Sequence, residues 1–405
     1  MKTSFFLILV LSLFNFKAVC EPTTQTVNAL RIFQNPDPQY WGGFGWSMAA
    51  YENKLLVGAP HNDSGAKSSG SAYLFDIETG KILHTFHNPD PQENAQFGWP
   101  VVVTKQRILI GAHSDGSPLE NEGTVHIYDK TTLKHLMKIK CPDSKMTQEF
   151  GRSIITFNDK FLVTALGTMV GNKHVSAFYL FDESGACLRR FYNEKAYKDL
   201  SRLGIHIQLR NDTILIGADL SPVDNKKNCG AVYVYDLNGT LHRIIPDPKQ
   251  KPDDRFGMKS IFVDDNIAVC APGDDTITTN SGAVYMFNQS GDLLRTFHNP
   301  SPIEGSKYGA PNFGSEAALL DKNTILINGM ERDKQNRISR VVFAFNILSG
   351  KVVHTFRSPK PELAFGTSIL SYNKYVLIGS TSADVGDTKE AGCVYLFPAD
   401  NPIHR

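Results

Sequence analysis

Eight polar side chains recur just after apolar runs: His61, Asn62, Asp63, His113, Asp115, Asp219, Asp274 and Asp275. Carboxylates and imidazoles are the groups that ligate metals and exchange protons. Three kinds of role fit them: turn and solubility chemistry, a contact surface for protein or glycan, or a metal or catalytic cluster. Linear spacing does not make them converge, so no catalytic residue, metal ligand or cofactor is assigned. Stronger motifs are missing. The chain has no GxSxG elbow, no HExxH helix and no Gly-rich phosphate loop ending in Lys. Trp41 is a further candidate, an aromatic anchor for a protein or sugar. Trp46 and Trp99 directly follow Phe-Gly pairs and are expected in the core between repeats.

The elements that must position these residues are repeats. Phe-Gly pairs begin at Phe44, Phe97, Phe150, Phe256, Phe313 and Phe365, with Leu203-Gly204 as a seventh, substituted copy. Successive spacings are 53, 53, 53, 53, 57 and 52 residues. A period near this length marks propellers or solenoids. Each unit continues with an apolar strand ending in small residues, such as Leu55-Leu56-Val57-Gly58-Ala59-Pro60. An aromatic, alternating strand follows, as in Gly70 to Asp76, and then a turn and a fourth strand, as in Gly80 to Phe86. Alternation, β-branching and aromatic content favour strands.

Four antiparallel strands repeated seven times predict an all-β, seven-bladed β-propeller. The last unit stops after its third strand, at Phe397. The segment Ala29 to Pro36 matches the fourth strand Ile82 to Pro89, so the N-terminal strand is expected to close the last blade. Closure removes the open edge. Long connections follow the second and fourth strands, and in such a blade both emerge on one face. That face is the expected binding surface.

The units resemble FG-GAP repeats of the integrin α-subunit head, across residues 26–398. Phe44-Gly45 with Gly58-Ala59-Pro60 carries both family elements, and Cys270-Ala271-Pro272 and Asn328-Gly329-Met330 are degenerate copies. The resemblance implies adhesion or recognition. The calcium loops of many family members are not carried over. The connections at Tyr51 to Lys54 and Val263 to Asn266 are short turns without the D-x-[DN]-x-[DN]-G spacing. No leg, inserted ligand-binding domain or cytoplasmic tail is read in the chain, so an integrin heterodimer is not expected.

Composition bounds the rest. The 405 residues carry 42 Lys and Arg against 41 Asp and Glu. That balance gives no support for nucleic-acid binding. Residues 1–20 read as a signal peptide: Lys2, an apolar run from Ser4 to Phe14, and small residues before Glu21. Residues 21–405 then form one propeller domain, without a transmembrane segment, expected to be secreted, periplasmic or associated with the cell surface. Five cysteines remain, of which Cys229 and Cys270 form a candidate disulfide and Cys393 is read as a strand core residue. Sequons stand at Asn62, Asn211, Asn238 and Asn288. The expected function is noncatalytic recognition of an extracellular or surface protein or glycan through the long-loop face. A hydrolase or lyase with a His/Asp site at the channel mouth, and a structural assembly subunit, are the alternatives.

Overall fold

The computed structural model describes residues 28–116, 122–143, 149–170, 173–192, 203–222, 226, 229–303, 312–332 and 335–399. The leader expected over residues 1–20 lies outside them.

Seven antiparallel four-stranded sheets form the ring. A single strand, β1 (Arg31–Gln34), precedes the first complete blade. Blade 1 is β2 (Met48–Tyr51), β3 (Lys54–Ala59), β4 (Ser71–Asp76) and β5 (Ile82–His87). Blade 2 is β6 (Val101–Val103), β7 (Arg107–Ala112), β8 (Thr124–Asp129) and β9 (His135–Lys140). Blade 3 is β10 (Ile154–Phe157), β11 (Lys160–Val170), β12 (Lys173–Asp182) and β13 (Cys187–Tyr192). Blade 4 is β14 (Ile207–Arg210), β15 (Thr213–Ala218), β16 (Ala231–Asp236) and β17 (Leu241–Pro246). Blade 5 is β18 (Lys259–Val263), β19 (Asn266–Ala271), β20 (Ala283–Phe287) and β21 (Leu293–His298). Blade 6 is β22 (Ala317–Asp321), β23 (Thr324–Arg332), β24 (Ile338–Asn346) and β25 (Val352–Arg357). Blade 7 is β26 (Phe365–Tyr372), β27 (Tyr375–Ser380) and β28 (Cys393–Pro398), with β1 as its outer strand.

The closure expected from the repeat is present. Arg31 to Gln34 pair antiparallel with Leu396 to Cys393, and Leu30 N donates to Leu396 O at 2.7 Å. The chain therefore hydrogen-bonds its early strand onto its last blade and leaves no open edge there.

The core is divided into seven clusters, one between each pair of neighbouring blades. The first residue of each Phe-Gly or Leu-Gly pair sits in one of them, at most 1% exposed. Phe44, for instance, packs with Phe75 of its own blade and Val394 of blade 7. The small residues after it let backbones meet. A Cβ added to Gly58 would lie 1.9 Å from the Gly98 carbonyl oxygen of the next blade, so no side chain fits there.

Outer strands add a second set of ties. Arg31 donates to the Thr79 carbonyl, Arg189 to Leu237, Arg243 to Gln289 and Arg295 to Leu348. In each case a fourth-strand arginine caps the third-to-fourth-strand turn of the following blade. Such charge-assisted bonds are stronger than neutral ones.

The candidate disulfide is corrected: no disulfide joins Cys229 to Cys270. Cys270 points into the cluster between blades 5 and 6, whereas Cys229 leads into the third strand of blade 4. The body of blade 5 separates the two. Cys393 is buried in the cluster between blades 6 and 7, as expected for a strand core residue.

Closure sets the first prediction. Phe33→Ala removes a buried ring from the seam between blades 7 and 1. Large-to-small changes of this kind cost about 3–5 kcal/mol. Chemical denaturation should report that loss. An exposed neighbour in the same strand, Ile32→Ala, should change stability far less.

Candidate functional site

A central cavity of about 1450 Å³ runs along the ring axis. Its wall is built by the first strands and by the residues that lead into them. In every blade the residue after Phe-Gly or Leu-Gly reaches it: Trp46, Trp99, Arg152, Ile205, Met258, Ser315 and Thr367. The pair's glycine adopts a left-handed backbone, with φ 90° at Gly45 and 107° at Gly98. That turn sends the Phe between blades and the following residue toward the axis. Trp46 and Trp99 therefore line the cavity, a correction to the expectation that they fill the core between blades.

These aromatics form a continuous wall at the mouth on the long-loop side. Trp41 is 60% exposed and stacks on His61, with ring centroids 6.2 Å apart. His61 meets the Trp46 ring edge-on at 5.6 Å, and Trp46 packs on Trp99 at 4.9 Å. The Arg152 guanidinium lies over the Trp99 ring at 4.3 Å, a cation–π contact. Arg152 also donates to His113 Nε2 at 3.1 Å, and His113 Nδ1 donates to the Trp99 carbonyl at 3.3 Å. Acceptance at Nε2 needs a neutral imidazole. Burial, followed by the Arg152 charge, pushes the His113 pKa down to about 3. Burial also lowers the pKa of His61.

In blades 4 to 6 the next residue of the first-strand entry gives the wall a polar side. Lys259 and Glu316 form an ion pair between blades 5 and 6. Burial raises the Glu316 pKa, against the pull of Lys259. His206 stands near them, held neutral by burial and by the Lys259 charge. Among the described residues no three His, Cys, Asp or Glu side chains are arranged to hold a metal ion.

The remaining sequence candidates are dispersed among separate blades. Asn62 is fully buried; it accepts from Asn35 at 3.2 Å and donates to the Tyr73 hydroxyl at 2.9 Å. Its sequon is thus closed off inside blade 1. Asp115 is buried and accepts from the Thr124 hydroxyl at 2.8 Å. Asp274 is buried and accepts from the Tyr285 hydroxyl at 2.5 Å. These three occupy one repeat position, and each braces the base of its own second-to-third loop. Asp219 is buried against Arg255, which donates at 3.1 and 3.2 Å. Asp63 and Asp275 are exposed and accept loop amides from Ser68 and Asn280. Of the whole set, only Trp41, His61 and Asp275 line the cavity, and only Trp41 and His61 touch.

A buried histidine in blade 2 yields a pH prediction. His126 bonds His135 at 3.2 Å, and burial drives its pKa down to about 3. Folding therefore excludes a proton that the unfolded chain takes up below about pH 6.5. The resulting stability is complete above that value and is lost as pH falls toward 3. The equivalent third-strand position holds Tyr73, Tyr179, Tyr233, Tyr285 and Tyr395 in other blades. His126→Tyr should lose less melting temperature than the wild type between pH 7 and pH 4.

Comparison with known proteins agrees with the geometry. The FG-GAP repeat family matches residues 40–75. Integrin alpha-2 of Bos taurus is 36% identical over 119 residues, which cover 26% of this chain and 10% of that protein. The match thus spans a tenth of the relative's length. Among the described residues no helix is long and apolar enough to cross a membrane. The chain thus folds as an integrin-α-like seven-bladed β-propeller, with an FG-GAP repeat matched at residues 40–75.

Proposed function

We propose that this propeller is a noncatalytic recognition module, exported to the cell surface or beyond, that binds a protein or glycan through its long-loop face. The observation that carries this reading is the aromatic wall of Trp41, His61, Trp46 and Trp99 at the cavity mouth. Large aromatic surfaces at a concave mouth are what binding hot spots use. The similarity to integrin alpha-2 over part of the chain supports recognition as the general role. The remaining sequons support the choice of face. Asn211, Asn238 and Asn288 lie in or beside first-to-second or third-to-fourth strand turns. Glycans there would cover the trimmed face and leave the long loops free. The proposed export signal is residues 1–20, and the proposed binding domain is residues 21–405.

The hydrolase or lyase reading has less support. Its carboxylates Asp115, Asp219 and Asp274 are committed to bonds in separate blades. No observation favours an assembly subunit over a binding module.

The test uses the secreted chain against panels of extracellular proteins and glycans. Trp41→Ala should weaken the strongest interaction tenfold or more while leaving the melting temperature unchanged, because Trp41 is largely exposed. A quadruple replacement on the trimmed face, at Asn211, Asp212, Asn238 and Gln289, should leave binding intact. Loss of binding by the second variant alone would reverse the assignment of faces.

A further inference from the structure

The repeat supplies its own controls for one unusual side chain. Gly42, Ala95 and Asp254 each stand two residues before the Phe of Phe-Gly. The backbone is the same in all three. The preceding residues Trp41, Asn94 and Asp253 have φ of 62°, 62° and 69°. The carbonyls of Gly42, Ala95 and Asp254 accept from His61, Ser114 and Gly273 at 3.1, 3.4 and 3.0 Å. The side-chain slot is therefore equivalent in blades 1, 2 and 5.

Its contents differ. In blade 1 a Cβ added to Gly42 would meet Asn62 Oδ1 at 2.3 Å and Asn35 Nδ2 at 3.0 Å. Those two partners are neutral amides. Blade 2 keeps Ala95 there, fully buried, beside Asn88 and Asp115. Blade 5 places Asp254 in the slot, with Asp274 where blade 1 has Asn62 and Asp247 where it has Asn35. All three carboxyl groups are buried.

Two of them have donors. Asp274 accepts from Tyr285, Lys249 and the Thr276 amide. Asp247 accepts from the Lys249 and Lys251 amides, each at 3.0 Å. Asp254 is 1% exposed, and among the described residues neither of its carboxyl oxygens has a hydrogen-bond partner. An ionised carboxylate left buried and unpaired is strongly disfavoured.

We infer that Asp254 is a proton-binding residue, and that the Asp247–Asp254–Asp274 slot holds the 249–258 loop shut while Asp254 carries its proton. Burial and then repulsion from Asp274, Asp247 and Asp275 push its pKa up to about 7, with Lys251 opposing. The other groups around the slot are occupied. Lys249 and Tyr285 bond Asp274, Arg255 bonds Asp219, and His298 is kept low in pKa by burial. Among the described residues no donor bonds Asp254, and the Lys251 charge acts on it without a hydrogen bond.

The loop matters because Asp253 and Arg255, on either side of Asp254, line the central cavity. Both hold left-handed backbones, with φ 69° and 55°. That conformation is costly outside glycine, and blades 1 and 2 hold the same one at Trp41, Asn94 and Gln96 around an uncharged slot residue. Charge on Asp254 pushes against Asp274 and Asp247 and frees the loop to relax. The sign follows from linkage. Between about pH 4 and pH 7 the folded state holds a proton that the unfolded state has released, so stability falls as pH rises through that window.

The experiment compares wild type with Asp254→Asn and Asp254→Ala, the second copying Ala95. At pH 4 the three should melt together. By pH 8 both variants should melt roughly 3 °C or more above the wild type. Parallel melting profiles from pH 4 to pH 8 would overturn the inference. Carbon-13 NMR of the intact wild-type chain reads the Asp254 carboxyl without any substitution. A midpoint near 7 supports the assignment, and one near 4 overturns it. Millimolar calcium at pH 8 should leave all melting temperatures unchanged. A calcium-dependent rise lost in Asp254→Ala would make the slot a metal site and sink the proton reading.

Discussion

Ring closure rests on the pairing of β1 with β28. Four residue pairs there join positions more than 350 apart in sequence. Without that pairing, blade 7 would present an unpaired outer strand, and the cluster between blades 7 and 1 would lose Phe33. Every other interface is made by neighbours in the chain and closes locally. The seam alone depends on a long loop closure, whose entropic cost has no local contact to offset it. The central cavity exists only because the seam holds all seven first strands around one axis.

Much of this fold was legible in the residues. The spacing of Phe-Gly pairs, the small pair after the second strand and the incomplete final unit all agree on seven blades and their register. Consistency across these levels is what specifies a single structure. Phe44 and its counterparts were readable as wedges because burial between blades needs a large apolar side chain at a fixed place in each unit.

The site was less legible, for a geometric reason. Trp46 and Trp99 look like core residues in one dimension because they adjoin buried Phe. Only the left-handed turn at the intervening glycine reveals that they point to the axis. The signal that finds them is the repeat register, since the residue after every Phe-Gly shares the same fate. The His and Asp candidates failed to converge for a related reason. Asn62, Asp115 and Asp274 share a register that turns into the blade, whereas His61 and Asp219 stand one or two residues earlier. A list assembled by chemical type mixed positions with different directions.

The close backbone contact at Gly58 and Gly98 has a mechanical consequence. Two main chains already touching cannot be pressed nearer, and the wedged Phe residues resist their separation. The bore of the ring is therefore a rigid sleeve of preset width. A guest must match that width from the outset, and adaptation falls to the guest and to the loops at the rim.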